Sequence, residues 1–184
     1  MSRPEALPRQ RVFFALWPDA ATSETLGGVA RAAARACGGK PTRPETIHLT
    51  LAFIGNVPVD RVIALQQLAA LVEAPCFDLQ LDHIGFWRHK RIVWAGAAGV
   101  PQALTLLASR LNGLLREADF RVEDRSFAAH VSLLRKADCR GGAERQIAFA
   151  PLRWPVTEFV LVESVLRTEG ASYRPLARYG LQGL

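Results

Sequence analysis

Short apolar runs and amphipathic helical stripes follow one another along this chain in an order that few architectures accept. Arg11–Trp17 is a brief run rich in Val and Phe, after which Pro18 and Asp19 supply a turn and an N-cap. Ala20–Cys37 reads as an Ala-rich helix closed by Gly38 and Gly39. Ile47–Ile54 reads as a strand ended by Gly55 and Asn56. Asp60 is expected to cap a second helix to Ala74, with Val62, Leu65, Leu68, Ala69 and Val72 on one face. Phe77–Ile84 and Arg91–Ala95 read as hairpin strands around Gly85–Lys90. Pro101–Ala118 is a third helix, striped by Leu104, Leu107, Leu111, Leu114 and Leu115. Ser126–Leu134, Val156–Leu166 and Tyr173–Leu181 read as further strands. Strand–helix–strand–helix, then strands, a helix and more strands, predicts an α+β fold with mostly antiparallel sheet. The regular alternation of a doubly wound fold is absent.

The 184 residues are enough for one core and marginal for two, and 49% hydrophobic content excludes a disordered chain. The net charge of +6 fits an anionic partner. It fits compositional bias equally, since twenty of the 23 basic residues are Arg. No run of about 18 apolar residues is present to span a membrane, and Met1 to Gln10 lack the apolar centre of a secretory leader. Cys37, Cys76 and Cys139 are odd in number and form no C-x-x-C pair. The expectation is reduced thiols in a cytoplasmic protein. Neither G-x-G-x-x-G nor G-x-x-x-x-G-K-[ST] occurs, so a standard nucleoside-triphosphate loop is unsupported.

Of four histidines, two open the same phrase: His48-Leu49-Thr50-Leu51 and His130-Val131-Ser132-Leu133. On a strand, side chains two apart share a face. Each phrase therefore presents an imidazole beside a hydroxyl over two core residues. Displacement at a phosphodiester needs a base to activate the attacking oxygen and an acid for the leaving one. Histidine serves in either role near neutrality, and hydroxyls hydrogen-bond the non-bridging oxygens. Neither phrase has metal-site spacing, so no catalytic metal or other cofactor is expected. A single His-x-Thr in a strand is ordinary; two in matched settings are the signal.

The flanks extend the signal. Arg11-Val12-Phe13-Phe14-Ala15-Leu16-Trp17-Pro18, His48 through Gly55, and Gly85-Phe86 before Arg91-Ile92-Val93-Trp94 come in order. Phe127 through Arg135, Phe159 through Ser164 and Tyr173-Arg174-Pro175-Leu176 follow. This set resembles the two-histidine (2H) phosphoesterases, and within them the RNA 2′,3′-cyclic phosphodiesterases, historically named 2′-5′ RNA ligases. Ser132 stands where the family more often has Thr.

The resemblance implies a bilobed fold, two pseudo-symmetric, mostly antiparallel sheets with flanking helices around a central cleft, made from residues 1–184 as one domain. It implies hydrolysis of an RNA or nucleoside 2′,3′-cyclic phosphate to a 2′-phosphomonoester, and ATP-independent 2′-5′ ligation as the reverse reaction. His48 is then the acid that protonates O3′ and His130 the base that activates water, although reversal exchanges these labels. Thr50, Ser132 and Arg135 hold the phosphate, and Phe53 with Arg135 sandwiches the base. Strict alternation puts Phe53 and Arg135 on the face opposite their histidines, so each strand must end or twist before them. The expected partner is an RNA end or cyclic nucleotide bound by a monomer, with no membrane.

Arg88, His89, Lys90, Arg91 and Trp87, with His83 and Arg43, are candidates for backbone contact or for plain solvation. Trp17, Trp94 and Trp154 are expected in the core. Two alternatives stay open: the same site acting on 2′-5′ oligoadenylate or another cyclic phosphate, and a non-catalytic RNA-end-binding module.

Overall fold

Period-two burial in the first strand sets up two apolar layers. In β1 (Arg9–Leu16), Val12, Phe14 and Leu16 face one core while Phe13 and Ala15 face a second, smaller cluster. The structure, a computed structural model, describes residues 8–123, 127–168 and 170–183. Asp19 caps α1 (Ala20–Cys37), its carboxylate accepting from the Thr22 amide at 2.7 Å. Gly38 (φ 62°) and Gly39 (φ 91°) then reverse the chain into the short strand β2 (Lys40–Pro41). Gly39 is needed twice over, because a Cβ there would lie 2.6 Å from the Arg135 carbonyl oxygen.

The remaining elements are β3 (Leu49–Pro58), α2 (Val59–Ala70), β4 (Phe77–Leu81), β5 (His83–Trp87), β6 (Ile92–Gly96) and α3 (Gln102–Glu117). They continue with β7 (His130–Arg135), β8 (Leu152–Val156), β9 (Glu158–Arg167) and β10 (Gly170–Gly180). Eight strands form one sheet in the order β10-β9-β1-β3-β7-β6-β5, with β2 on β7. All its pairs are antiparallel. Its two four-stranded halves meet only where Leu49 of β3 pairs with Val131 of β7. A two-stranded sheet, β4 with β8, stands apart. Leu65 of α2 and Leu104, Leu107 and Leu111 of α3 fill the main core with Leu49 and Val131. Ala33 and Cys37 of α1 cover Val93 and Leu134 of the second half.

Several expectations change. The hairpin partner of β6 is β5, whereas Phe77–Leu81 pairs with β8, which contains Pro155 and was not expected. Asp60 lies inside α2, behind Pro58 at the N-cap, and the helix stops at Ala70. The seventh strand starts at His130; Ser126 lies outside the described residues. The cysteine reading is overturned for two of three. Cys37 and Cys139 form a disulfide, their Cα atoms 4.5 Å apart, and Cys76 is free. Separation along the chain hid the pairing, since the turn after β7 returns to the end of α1, where the Asp138 amide bonds the Cys37 carbonyl at 2.8 Å. No described helix is long and apolar enough to cross a membrane.

Candidate active site

The Leu49–Val131 pair decides the site. Antiparallel pairing there runs the two phrases past each other, turning His48 toward Ser132 and Thr50 toward His130. Leu49 and Val131 are fully buried beneath them, so all four polar side chains rise on the opposite face. They line one cleft of about 680 Å³ between the halves of the sheet.

Each strand then bulges just past its hydroxyl residue. Against β1, Ala15 pairs with Thr50 and Phe14 with Ala52, leaving Leu51 unopposed. Against β6, Trp94 pairs with Ser132 and Val93 with Leu134, leaving Leu133 unopposed. One extra residue reverses the facing of everything after it. Phe53 and Arg135 thereby return to the cleft face, and both line it. Neither strand ends or merely twists there, as strict alternation had required. Both freed carbonyls are met from outside the ladder, Leu133 by the Thr42 amide at 2.8 Å and Leu51 by Asn112 Nδ2 at 3.4 Å.

Matched hydrogen bonds orient the imidazoles. His48 Nδ1 lies 2.8 Å from the Thr46 carbonyl, and His130 Nδ1 lies 2.8 Å from that of Ala128. A carbonyl can only accept, so each Nδ1 carries the hydrogen and each Nε2 carries the basic lone pair. The surroundings then diverge. Trp17 stacks flat on His48 (5.5 Å, 7°), Tyr173 meets it edge-on at 5.2 Å and Phe13 lies at 4.9 Å. Burial in this cage pushes the His48 pKa down to about 4, despite the bond to Thr46, with smaller contributions from Arg135 and His130. His130 has the edge of Trp87 at 4.4 Å.

The remaining expectations sort by position. Arg11 places its guanidinium 5.1 Å from the centre of the Phe53 ring, and Lys90 its ammonium 5.0 Å from that of Trp87; all four line the cleft. Arg43 is spent on the Ala171 carbonyl and Glu45, Arg91 on the carbonyls of Lys136 and Ala137, and His83 on Asp82. Arg88 and His89 do not line the cleft. Trp154 is core at 3% exposure, but Trp17 is not: it belongs to the wall around His48. Trp94 is half-buried, filling the space over Gly85 and Gly96 and touching Trp87 at 5.3 Å. Sequence reasoning missed Arg11, Tyr173 and a polar row on α3, of which only the side-chain spacing on α3 was visible in advance. Among the described residues no group of three His, Cys, Asp or Glu is placed to hold a metal ion.

Known proteins match this arrangement. A profile of the family described as LigT like phosphoesterase matches residues 16–94. The RNA 2′,3′-cyclic phosphodiesterase of Escherichia coli is 34% identical over 147 residues, covering 78% of this chain and 80% of its own. That of Thermus thermophilus is 33% identical over 158 residues, covering 79% and 77%. The crystal structure of Escherichia coli LigT complexed with 3′-AMP superposes with a TM-score of 0.84 at 31% identity, over 95% of this chain and 99% of that one. With two matched strands meeting at a single residue pair and relatives aligned along most of its length, this chain belongs to the RNA 2′,3′-cyclic phosphodiesterase family of LigT-like phosphoesterases.

Proposed function

We propose that this chain hydrolyses the 2′,3′-cyclic phosphate at an RNA end, or of a nucleoside, to a 2′-phosphomonoester, using His48 and His130 as an acid–base pair. The observation that carries this is the pair of imidazoles held by identical Nδ1–carbonyl bonds in one cleft, each with a hydroxyl beside it. The named activity of the relatives and the 3′-AMP bound by the Escherichia coli protein support it. One imidazole takes a proton from water as its oxygen attacks phosphorus; the P–O3′ bond breaks; the other imidazole gives O3′ its proton. Thr50, Ser132 and Arg135 hold the non-bridging oxygens, and Phe53, backed by Arg11, supports the base. Every step uses groups of the chain itself, so turnover persists in excess EDTA. The reverse condensation at a 5′-hydroxyl draws on the cyclic ester and needs no ATP. We read the chain as one two-lobed domain and a monomer, which gel filtration checks.

The resemblance makes His48 the acid. The burial that keeps His48 neutral in the free chain favours the opposite assignment. A 4-nitrophenyl phosphodiester separates the two orders, since its leaving group needs no acid. Only the variant lacking the acid keeps its rate on that ester.

The primary test is incubation with a dinucleotide ending in a 2′,3′-cyclic phosphate and identification of the product. A 2′-phosphate is expected. His48→Ala and His130→Ala each lower the rate by about 10²–10⁴ with the fold retained. Full activity of the double variant overturns the reading, as does a 3′-phosphate product. Tight binding without turnover from pH 5 to 9 would make the chain a binding module, and faster turnover of 2′-5′ oligoadenylate would move the substrate.

A further inference from the structure

We propose that the polar edge of α3 is a second substrate subsite, which holds the phosphodiester joining the terminal nucleotide of an RNA to the one before it. This rests on the RNA-end reading above and makes the preferred substrate an oligonucleotide end rather than a free cyclic nucleotide.

Thr105, Ser109, Asn112 and Arg116 fall at i, i+4, i+7 and i+11, a single line along α3, and all four line the catalytic cleft. The line flanks the stripe of Leu104, Leu107, Leu111 and Leu115 that fixes the helix in the core. Asn112 ties it to the bulge of β3 by donating to the Leu51 carbonyl, two residues from Phe53. Asn112, third in the row, thus lies beside the strand whose Phe53 ring supports the terminal base. The row extends from it toward Thr105 on one side and Arg116 on the other, about 16 Å in all along the helix.

The charges of the cleft point the same way. Among the described residues, Arg11, Lys90, Arg116 and Arg135 line it against the single carboxylate of Glu123. Arg11 and Lys90 lie over aromatic rings, and Arg135 lines the cleft in the role assigned above to the reacting phosphate. Arg116 meets neither a carboxylate nor a ring among the described residues, although neighbouring Arg110 and Arg61 are bonded to the carbonyls of Glu73 and Ala118. The Thr105 hydroxyl donates to the Pro101 carbonyl. The Arg116 guanidinium and the Ser109 hydroxyl along one wall, continuous with a phosphodiester-cleaving centre, match the repeating anion of an RNA strand. Contacts to it carry no sequence information and fit a cleft whose base platform is a single ring.

The test compares adenosine 2′,3′-cyclic phosphate with a dinucleotide ending in a 2′,3′-cyclic phosphate. The wild type is expected to favour the dinucleotide about tenfold in kcat/KM. Arg116→Ala removes that preference through KM and leaves the mononucleotide unchanged, and Arg116→Lys restores most of it. Anisotropy of a labelled tetranucleotide ending in a 2′-phosphate gives a readout independent of turnover. Its salt slope becomes shallower by about 0.7 in Arg116→Ala. Equal losses on both substrates, or none on either, overturn the subsite. If the wild type turns over neither compound, the catalytic reading fails and the binding slope alone decides. A slope unchanged by Arg116→Ala then overturns the subsite.

Discussion

An imidazole enclosed by three aromatic rings titrates differently from one in water, and His48 is so enclosed. In the free protein His48 takes a proton only near pH 4, so the limb of the kcat/KM profile that reports it, ascending where His48 is the base and descending where it is the acid, is expected there rather than near 6.5. Trp17→Ala, which opens one face of the ring to water, moves that limb upward, and an unshifted profile contradicts the role given to the cage. The same shift acts on stability. Because the folded-state pKa lies below the unfolded one, the unfolded chain binds more protons between pH 4 and 6.5. Stability from this group is complete above 6.5 and is lost as pH falls through 4, by about 3 kcal/mol. Chemical denaturation across that range shows a smaller fall for Trp17→Ala than for wild type. The imidazoles and hydroxyls were legible as a local pattern because strand periodicity places them. Tyr173 and Trp17 were not, since each reaches His48 through strand pairing across distant sequence.

At the scale of elements, the two bulges do most to shape the site. Each comes one residue after a hydroxyl, and each turns a residue three positions on from that hydroxyl back into the cleft. Paired buried residues, Leu51 with Ala52 and Leu133 with Leu134, are their trace in the sequence. That trace reads equally as a fully buried strand, so the resemblance alone put Phe53 and Arg135 in the site, against the expected alternation. Elements with local signals were legible closely: α1 matches residue for residue, because Asp19 and the two glycines mark both its ends. Pairings were harder, and β4–β8 joins segments that carry no mark of each other, one interrupted by Pro155. Gly39 tests how the elements hold the site. Gly39→Ala forces a left-handed residue and presses on the Arg135 carbonyl, so a loss of about 2 kcal/mol is expected in denaturant titrations, together with reduced kcat/KM. A neutral result would mean that β2 and β7 can part without moving Arg135.

Over the whole molecule, charge and covalent structure divide between the two tasks of binding and holding. Several arginines sit in surface pairs such as Arg153 with Asp78, Arg174 with Glu163 and Arg178 with Glu158, which contribute little each and leave the excess of +6 unchanged. The small set that lines the cleft, Arg11, Lys90, Arg116 and Arg135, is the part placed to meet an anion. The disulfide is the larger structural commitment. Cys37 and Cys139 are 102 residues apart, and the loop they close contains both His48 and His130. A disulfide typically stabilises by about 2–4 kcal/mol, chiefly by restricting the unfolded chain. Neither cysteine lines the cleft, and both pack with Ala33, Val93 and Leu134 on the side covered by α1. Reduction, or Cys37→Ala with Cys139→Ala, should therefore lower the melting temperature by about 6–12 °C while kcat/KM at 25 °C stays unchanged. Thiol titration of the denatured, unreduced protein should find Cys76 alone, and all three cysteines after reduction. Three free thiols before reduction would show that the pair is merely adjacent. A fall in kcat/KM on reduction would show instead that the link between α1 and the exit of β7 sets the position of Arg135, four residues before Cys139.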